Sequence, residues 1–182
     1  MRLEPLHLRH ASDLSRIVNQ HTFQHFAAVR PPSWDAEGVE HFINQVNSLK
    51  DTVGFAMVLV ETGEAVGSTT YMDIRPPHRG LEIGMTWIAE PYRGTFVNPE
   101  VKFLMLQHAF ESIGCVRVQL KCDARNTRSQ AAILKLGAKF EGRLRKHFVL
   151  PDGFIRDTMM YSITAEEWPE LRERLSVRIA ST

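Results

Sequence analysis

Cysteine, tyrosine and long apolar runs are all scarce in this sequence. Its 182 residues include two cysteines, Cys115 and Cys122, and three tyrosines. Two cysteines build neither a disulfide framework nor a cysteine-rich zinc site, so buried reduced thiols are expected. No stretch approaches the roughly 18 apolar residues of a membrane-spanning helix, and no membrane contact is expected. The opening Met1-Arg2-Leu3-Glu4 lacks the apolar core of a secretory leader, and no Asn-x-Ser/Thr acceptor occurs. These absences predict a cytoplasmic protein.

What is present is a globular composition. Hydrophobic residues make up 43% and charged residues 24%, which argues against bulk disorder. The length suits one domain with a proper core, so residues 1–182 are read as a single domain. Lys plus Arg is 22 against 21 Asp plus Glu, a net of +1. That balance hides an asymmetry. Between Ile113 and Arg156 there are ten Lys/Arg and three Asp/Glu, a net of +7, which leaves −6 for the rest. A basic segment on a neutral chain suggests a local anionic partner. A phosphate-rich cofactor needs fewer charges than nucleic acid does. A solvated basic face is the plainer alternative.

The hydrophobic pattern alternates between periods of two and of 3.6 residues. Strands are predicted at Leu3–Leu8, Gly54–Glu61, Ala65–Ile74, Leu81–Ile88, Val116–Cys122, Lys139–Leu150 and Phe154–Ile163. Helices are predicted at Ala11–Asn19, at His21–Arg30, and from Ser33 or Asp35 through Val46. A wide-striped helix is expected at Pro99–Ser112, with Asn98 as N-cap and Pro99 in the first helical position. Thr127–Leu136 reads as a helix closed by Gly137, and Thr164-Ala165-Glu166-Glu167 as the capping box of a last one. The order predicts a mixed α/β fold, with a parallel crossover between the strands at Leu81–Ile88 and Val116–Cys122.

Two strand-to-helix exits carry the chemistry. The first, Trp87 to Glu100, runs through Arg93 and Gly94 into a helix. Unpaired N–H groups and the positive dipole end at such a start suit a diphosphate. The second is Asp123-Ala124-Arg125-Asn126-Thr127-Arg128-Ser129. Side by side, the two exits would form a cleft at the carboxyl ends of the strands.

Arg93-Gly94-Thr95-Phe96-Val97-Asn98, then Asn126-x-x-Ser129 and Lys135 to Gly142, resemble the GNAT acyl-CoA N-acyltransferases. The resemblance is strongest to the RimJ/RimL branch of ribosomal-protein N-terminal acetyltransferases, and it runs from about Leu3 to Trp168. It implies a mostly antiparallel central sheet with one splayed parallel pair, flanked by helices. It also implies acetyl-CoA as cofactor and a primary amine as acceptor, either a protein N-terminus or a small molecule. Backbone groups at Trp87 and Ile88 would meet the pantetheine arm. Arg93 and the N–H groups of Gly94, Thr95, Phe96, Val97 and Asn98 would hold the diphosphate. Asn126 would bond the pantetheine or a group lining it. Phe96 and Asn98 stand where the family carries Gly and Gly/Ala, so the Phe96 ring must point away or the diphosphate must shift. Arg128 and Lys135 fit the adenosine 3′-phosphate by charge.

Direct transfer needs a neutral amine and a protonated leaving thiolate. Many family members use a Tyr on the helix after the Asn. None lies between Thr127 and Gly137, and Ser129 matches the alternative position. Some family members carry a Glu six residues before the strand residue that matches Ile88, so the resemblance makes Glu82 the base candidate, with a solvent-side strand Glu as the plainer reading and His147 as a rival. His21 and His25 lack a third ligand and predict no metal site. Phe23, Phe26 and Trp34 are expected on the acceptor side or in the core. Arg143 to His147 has no aromatic RNA-binding signature, so nucleic acid is not the expected partner. An exposed last strand would permit a homodimer. Two other readings stay open: a non-catalytic acyl-CoA-binding module of the same fold, and a basic ribosome- or RNA-associated protein.

Overall fold

The chain opens with a short strand, β1 (Arg2–Pro5). A 3-10 turn at Leu8–His10 leads into α1 (Ala11–Ile17), and α2 (Ala36–Ser48) follows. Three strands come next: β2 (Val53–Val58), β3 (Ala65–Arg75) and β4 (Gly80–Ile88). The second half alternates as α3 (Val97–Gln107), β5 (Arg117–Asp123), α4 (Thr127–Leu136), β6 (Lys139–Val149), β7 (Ile155–Thr164) and α5 (Trp168–Ala180). This computed structural model describes residues 1–27 and 29–180.

All seven strands join one sheet in the order β1-β2-β3-β4-β5-β7-β6. Every neighbouring pair is antiparallel except β4–β5, which is parallel. The two faces bury different clusters because side chains alternate along each strand. On one face Leu81, Ile83, Val118, Leu120 and Ile163 pack under α3, α4 and α5 through Val101, Met105, Ile133, Leu136 and Leu171. On the other face α1 and α2 cover β2 and β3, with Leu14, Val39, Phe42, Phe23 and Trp87 at the centre.

Asp35 caps α2, accepting a hydrogen bond from Gly38 N at 2.8 Å. Gly137, at φ 110°, closes α4 in the left-handed conformation that glycine tolerates best. Four sequence expectations need correction. The first strand stops at Pro5, because His7 caps the 3-10 turn by accepting from Arg9 N.

No helix forms in the described part of 21–30, where residues 20–25 are turns; Ala28 lies outside the described residues. There Asn19 Oδ1 accepts from His21 N and Thr22 Oγ1 from Asn19 N. Such local bonds compete with helical ones.

The third helix starts at Val97, not Pro99, with Phe96 rather than Asn98 at its N-cap. Complete burial of Val97 draws the chain into helical geometry early. Pro99 is tolerated in the first turn because that N–H would be unpaired in any case. Finally, Glu167 does reach back to accept from Thr164 N at 2.9 Å, but regular helix begins only at Trp168.

Candidate active site

Parallel pairing between β4 and β5 lasts only from Gly80↔Arg117 to Glu82↔Gln119. Beyond it the strands part. The cause lies in β4. Between the pairs Thr70↔Gly84 and Ser68↔Trp87, Met85 and Thr86 together oppose the single residue Thr69. Met85 takes φ 46° there. This is a bulge, and a bulge bends its strand out of the ladder. The gap opens into a cleft of about 420 Å³ lined from both sheet faces.

Lys102, on α3, pins the bulge. Its Nζ donates to Thr86 Oγ1 at 2.6 Å and to Thr69 Oγ1 at 3.3 Å, and the two hydroxyls lie 2.8 Å apart. The side chain is buried yet belongs to the cleft wall. Burial pushes the ammonium pKa down from 10.5 to about 7.

On the α3/α4 face, Arg93, Gly94 and Asn98 line the cleft where α3 begins. Arg93 Nε donates to the Ile88 carbonyl at 3.0 Å and ties the loop to the end of β4. The N-cap residue Phe96 makes no side-chain cap bond, and Val97 N donates instead to Thr95 Oγ1 at 3.4 Å. Asn126, Arg128 and Ser129 line the same region. Asn126 Oδ1 caps α4 by accepting from Ser129 N at 3.0 Å. Trp87 and Ile88 border the gap, paired to β3 through Ser68 and Gly67. Gly67 is needed there, since a Cβ on it would fall on the Trp87 carbonyl oxygen.

Glu82 occupies the other face. It is 1% exposed, which excludes the solvent-side reading. Lys121 Nζ sits 2.9 Å and Gln119 Nε2 3.0 Å from its Oε2. Gly84 makes room, because a Cβ there would meet Glu82 Oε1 and the Met72 sulfur. Asp123, Arg156, His25 and Phe148 complete this side. Burial pushes the Asp123 carboxyl up, but hydrogen bonds from Arg125 more than offset this and leave it below its ordinary value. Burial lowers the His25 pKa, only partly opposed by Asp123, whose Oδ2 is 3.9 Å from its Nδ1.

The structure thus gathers Glu82, Trp87, Ile88, Arg93, Gly94, Asn98, Asn126, Arg128 and Ser129 around one cleft. Five expected side chains lie outside its lining. Lys135 is exposed, off the α4 stripe formed by Ser129, Ala132, Ile133 and Leu136. Val97 is in the core, the Thr95 hydroxyl donates to Tyr92 O at 2.8 Å, and the Phe96 ring is 37% exposed. Any part these last three play rests on backbone N–H groups, of which that of Val97 already donates to Thr95 Oγ1 at 3.4 Å. His147 is exposed against Phe148 and is also outside the lining. Lys102, Asp123 and Arg156 were not expected from sequence. Only Lys102 left a signal there, as a lone cation inside the apolar stripe of α3.

The Acetyltransferase (GNAT) domain family matches residues 1–139. The chain belongs to the GNAT acetyltransferases. That family uses acetyl-CoA. A Brucella melitensis GCN5-related N-acetyltransferase shares 27% identity and superposes with TM-score 0.90, over 98% of this chain and 81% of that one. Mycobacterium smegmatis RimJ, solved with CoA-disulfide, shares 25% identity at TM-score 0.79, over 97% and 88% of the two chains. Uncharacterized N-acetyltransferase YoaA of Bacillus subtilis (strain 168) is 31% identical over 103 residues, 57% of each chain. The match therefore spans little more than half the length of that curated relative. Among the described residues no helix is long and apolar enough to cross a membrane, and no group of three or more His, Cys, Asp or Glu could hold a metal ion.

Proposed function

We propose that the protein is a cytoplasmic N-acetyltransferase that moves an acetyl group from acetyl-CoA directly to a primary amine. The observation that carries this reading is the splayed β4–β5 pair, with two helix starts on one face and a buried carboxylate on the other. Acetyl-CoA, when bound, supplies an activated thioester. The residues fit it: the start of α3 offers N–H groups to a diphosphate besides the Val97 N–H that Thr95 holds, and the Phe96 ring does not face the cleft. Arg128, exposed at the cleft rim, suits an outer phosphate. The unpaired edges of β4 and β5 offer backbone groups to an amide-bearing arm between them.

In transfer, the amine nitrogen bonds to the thioester carbonyl carbon, the carbon–sulfur bond breaks, and the amine proton leaves. Glu82 accepts that proton, directly or through water. Lys121 and Gln119 hold its carboxylate in place. Ser129, held by Asn126 at the first turn of α4, donates a hydrogen bond to the departing sulfur. A serine hydroxyl is too weak an acid to hand over its proton outright, so water completes the thiol. The acceptor is a protein N-terminus or a small-molecule amine. An amine panel with acetyl-CoA, followed by thiol release, tests the reading. Turnover should fall about tenfold or more in Ser129→Ala with acetyl-CoA affinity retained. Tight acetyl-CoA binding without thiol release for any amine would favour a binding module instead.

A further inference from the structure

The acceptor side of the cleft contains an unbalanced cation. Two of its acids are already matched: Glu82 with Lys121 at 2.9 Å, and Asp123 with Arg125 at 2.7 Å. Arg156 has no such partner. It stands on β7 on the same sheet face as Glu82, opposite α3 and α4, and is 5% exposed. No carboxylate lies within 4.0 Å of its guanidinium among the described residues. Among the described residues its one hydrogen bond runs from Nη1 to the His25 carbonyl oxygen at 3.2 Å, and its Nε is buried with no partner. The guanidinium lies 5.3 Å from the centre of the Phe148 ring. Burial pushes its pKa down, and the carboxylates of Asp123 and Glu82, beyond ion-pair distance, oppose this only in part, consistent with a charge that the protein alone leaves undercompensated. An arginine nevertheless stays protonated at any working pH. A buried charge with idle donors is costly unless a partner arrives. Because Arg156 lines the cleft, that partner can be a ligand.

We propose that Arg156 receives the carboxylate of the acceptor, so that the substrate is a zwitterionic amine of the α-amino-acid type. This rests on the acetyl-transfer reading above and narrows its acceptor. The guanidinium fork matches two coplanar carboxylate oxygens. A phosphate would call for further donors, and Lys121 and Arg125 are engaged by Glu82 and Asp123. Polyamines are disfavoured, since their second ammonium would approach Arg156 with like charge. With its carboxylate at Arg156, the acceptor presents its amine on the sheet face where Glu82 takes up the proton. The His25 carbonyl holds the fork, so the loop after α1 helps to orient the substrate.

The test compares common α-amino acids, their α-carboxamides and spermidine as acceptors at saturating acetyl-CoA, by thiol release. For the best free acid, kcat/KM should exceed that of its carboxamide and of spermidine by about tenfold or more. Arg156→Gln should bring the acid-to-amide ratio close to one, and Arg156→Lys should retain an intermediate ratio. Calorimetric acetyl-CoA affinity reports that each variant is folded. Equal or better turnover of carboxamides or spermidine overturns the inference. So does an acid preference that survives in Arg156→Gln, or a wild type that binds acetyl-CoA yet acetylates no free amino acid. A wild type that fails to bind acetyl-CoA would overturn the acetyl-transfer reading itself.

Discussion

Replacing Lys102 with methionine should stabilise the protein, and by an amount that depends on pH. The wild-type ammonium is buried, and among the described residues its partners are two threonine hydroxyls and no carboxylate. In the unfolded chain it titrates near 10.5, and in the fold near 7. At about 1.4 kcal/mol per pH unit, that separation amounts to roughly 5 kcal/mol of destabilisation at acidic pH. Between the two values the unfolded chain holds a proton that the fold has released, so wild-type stability rises with pH. From pH 7 to pH 9 the rise is about 2 kcal/mol, and it is complete above the unfolded value. Methionine is of similar length and carries no charge. Thr69 and Thr86 keep their mutual hydrogen bond without the amine. Urea unfolding of both proteins at pH 7, 8 and 9 should therefore show Lys102→Met ahead at pH 7, with the gap closing by about 2 kcal/mol at pH 9. A gap that stays flat across this range, or a variant less stable than wild type at pH 7, would refute the reasoning.

Three further outcomes are expected. Glu82→Gln should lower kcat by about tenfold or more with little change in acetyl-CoA affinity, as single-turnover rates and calorimetry would report; a loss below about twofold would remove Glu82 from the proton path. Gly67→Ala should cost about 1–3 kcal/mol in chemical denaturation, because its methyl group collides with the Trp87 carbonyl oxygen at the edge of the gap. Phe96→Gly should change acetyl-CoA affinity by less than about threefold, since the ring lies outside the cleft; a larger gain would mean that the ring obstructs the diphosphate.

The strand and helix order was legible because most elements follow a single clear period. The alternation Val118, Leu120, Cys122 announces β5, and the spacing Val39, Phe42, Ile43, Val46 announces α2. Where local polar side chains hold the backbone, the period misleads. Around Asn19 and Thr22 a helical pattern yields turns. The site was half legible. Asn126 and Ser129 came from the family resemblance, and the structure adds that Asn126 caps the helix that carries Ser129. Glu82 was visible, but its burial was not, because that depends on Gln119 and Lys121 from the neighbouring strand. Arg156 was hidden for the same reason. On β7 it looks like any outward strand arginine, and its isolation follows from which acids the sheet assigns to other cations. The bulge that opens the cleft rests on a two-against-one register at Met85 and Thr86 that no pattern in β4 betrays.

The central claim is that the gap between β4 and β5 is an acetyl-CoA site. Calorimetric titration of acetyl-CoA into wild type, Asn126→Ala and Ser129→Ala tests it most directly. The account predicts micromolar binding by wild type, weakened in Asn126→Ala as the cap of α4 is lost, and retained in Ser129→Ala. No binding by the wild type, or equal binding by wild type and Asn126→Ala, would contradict it.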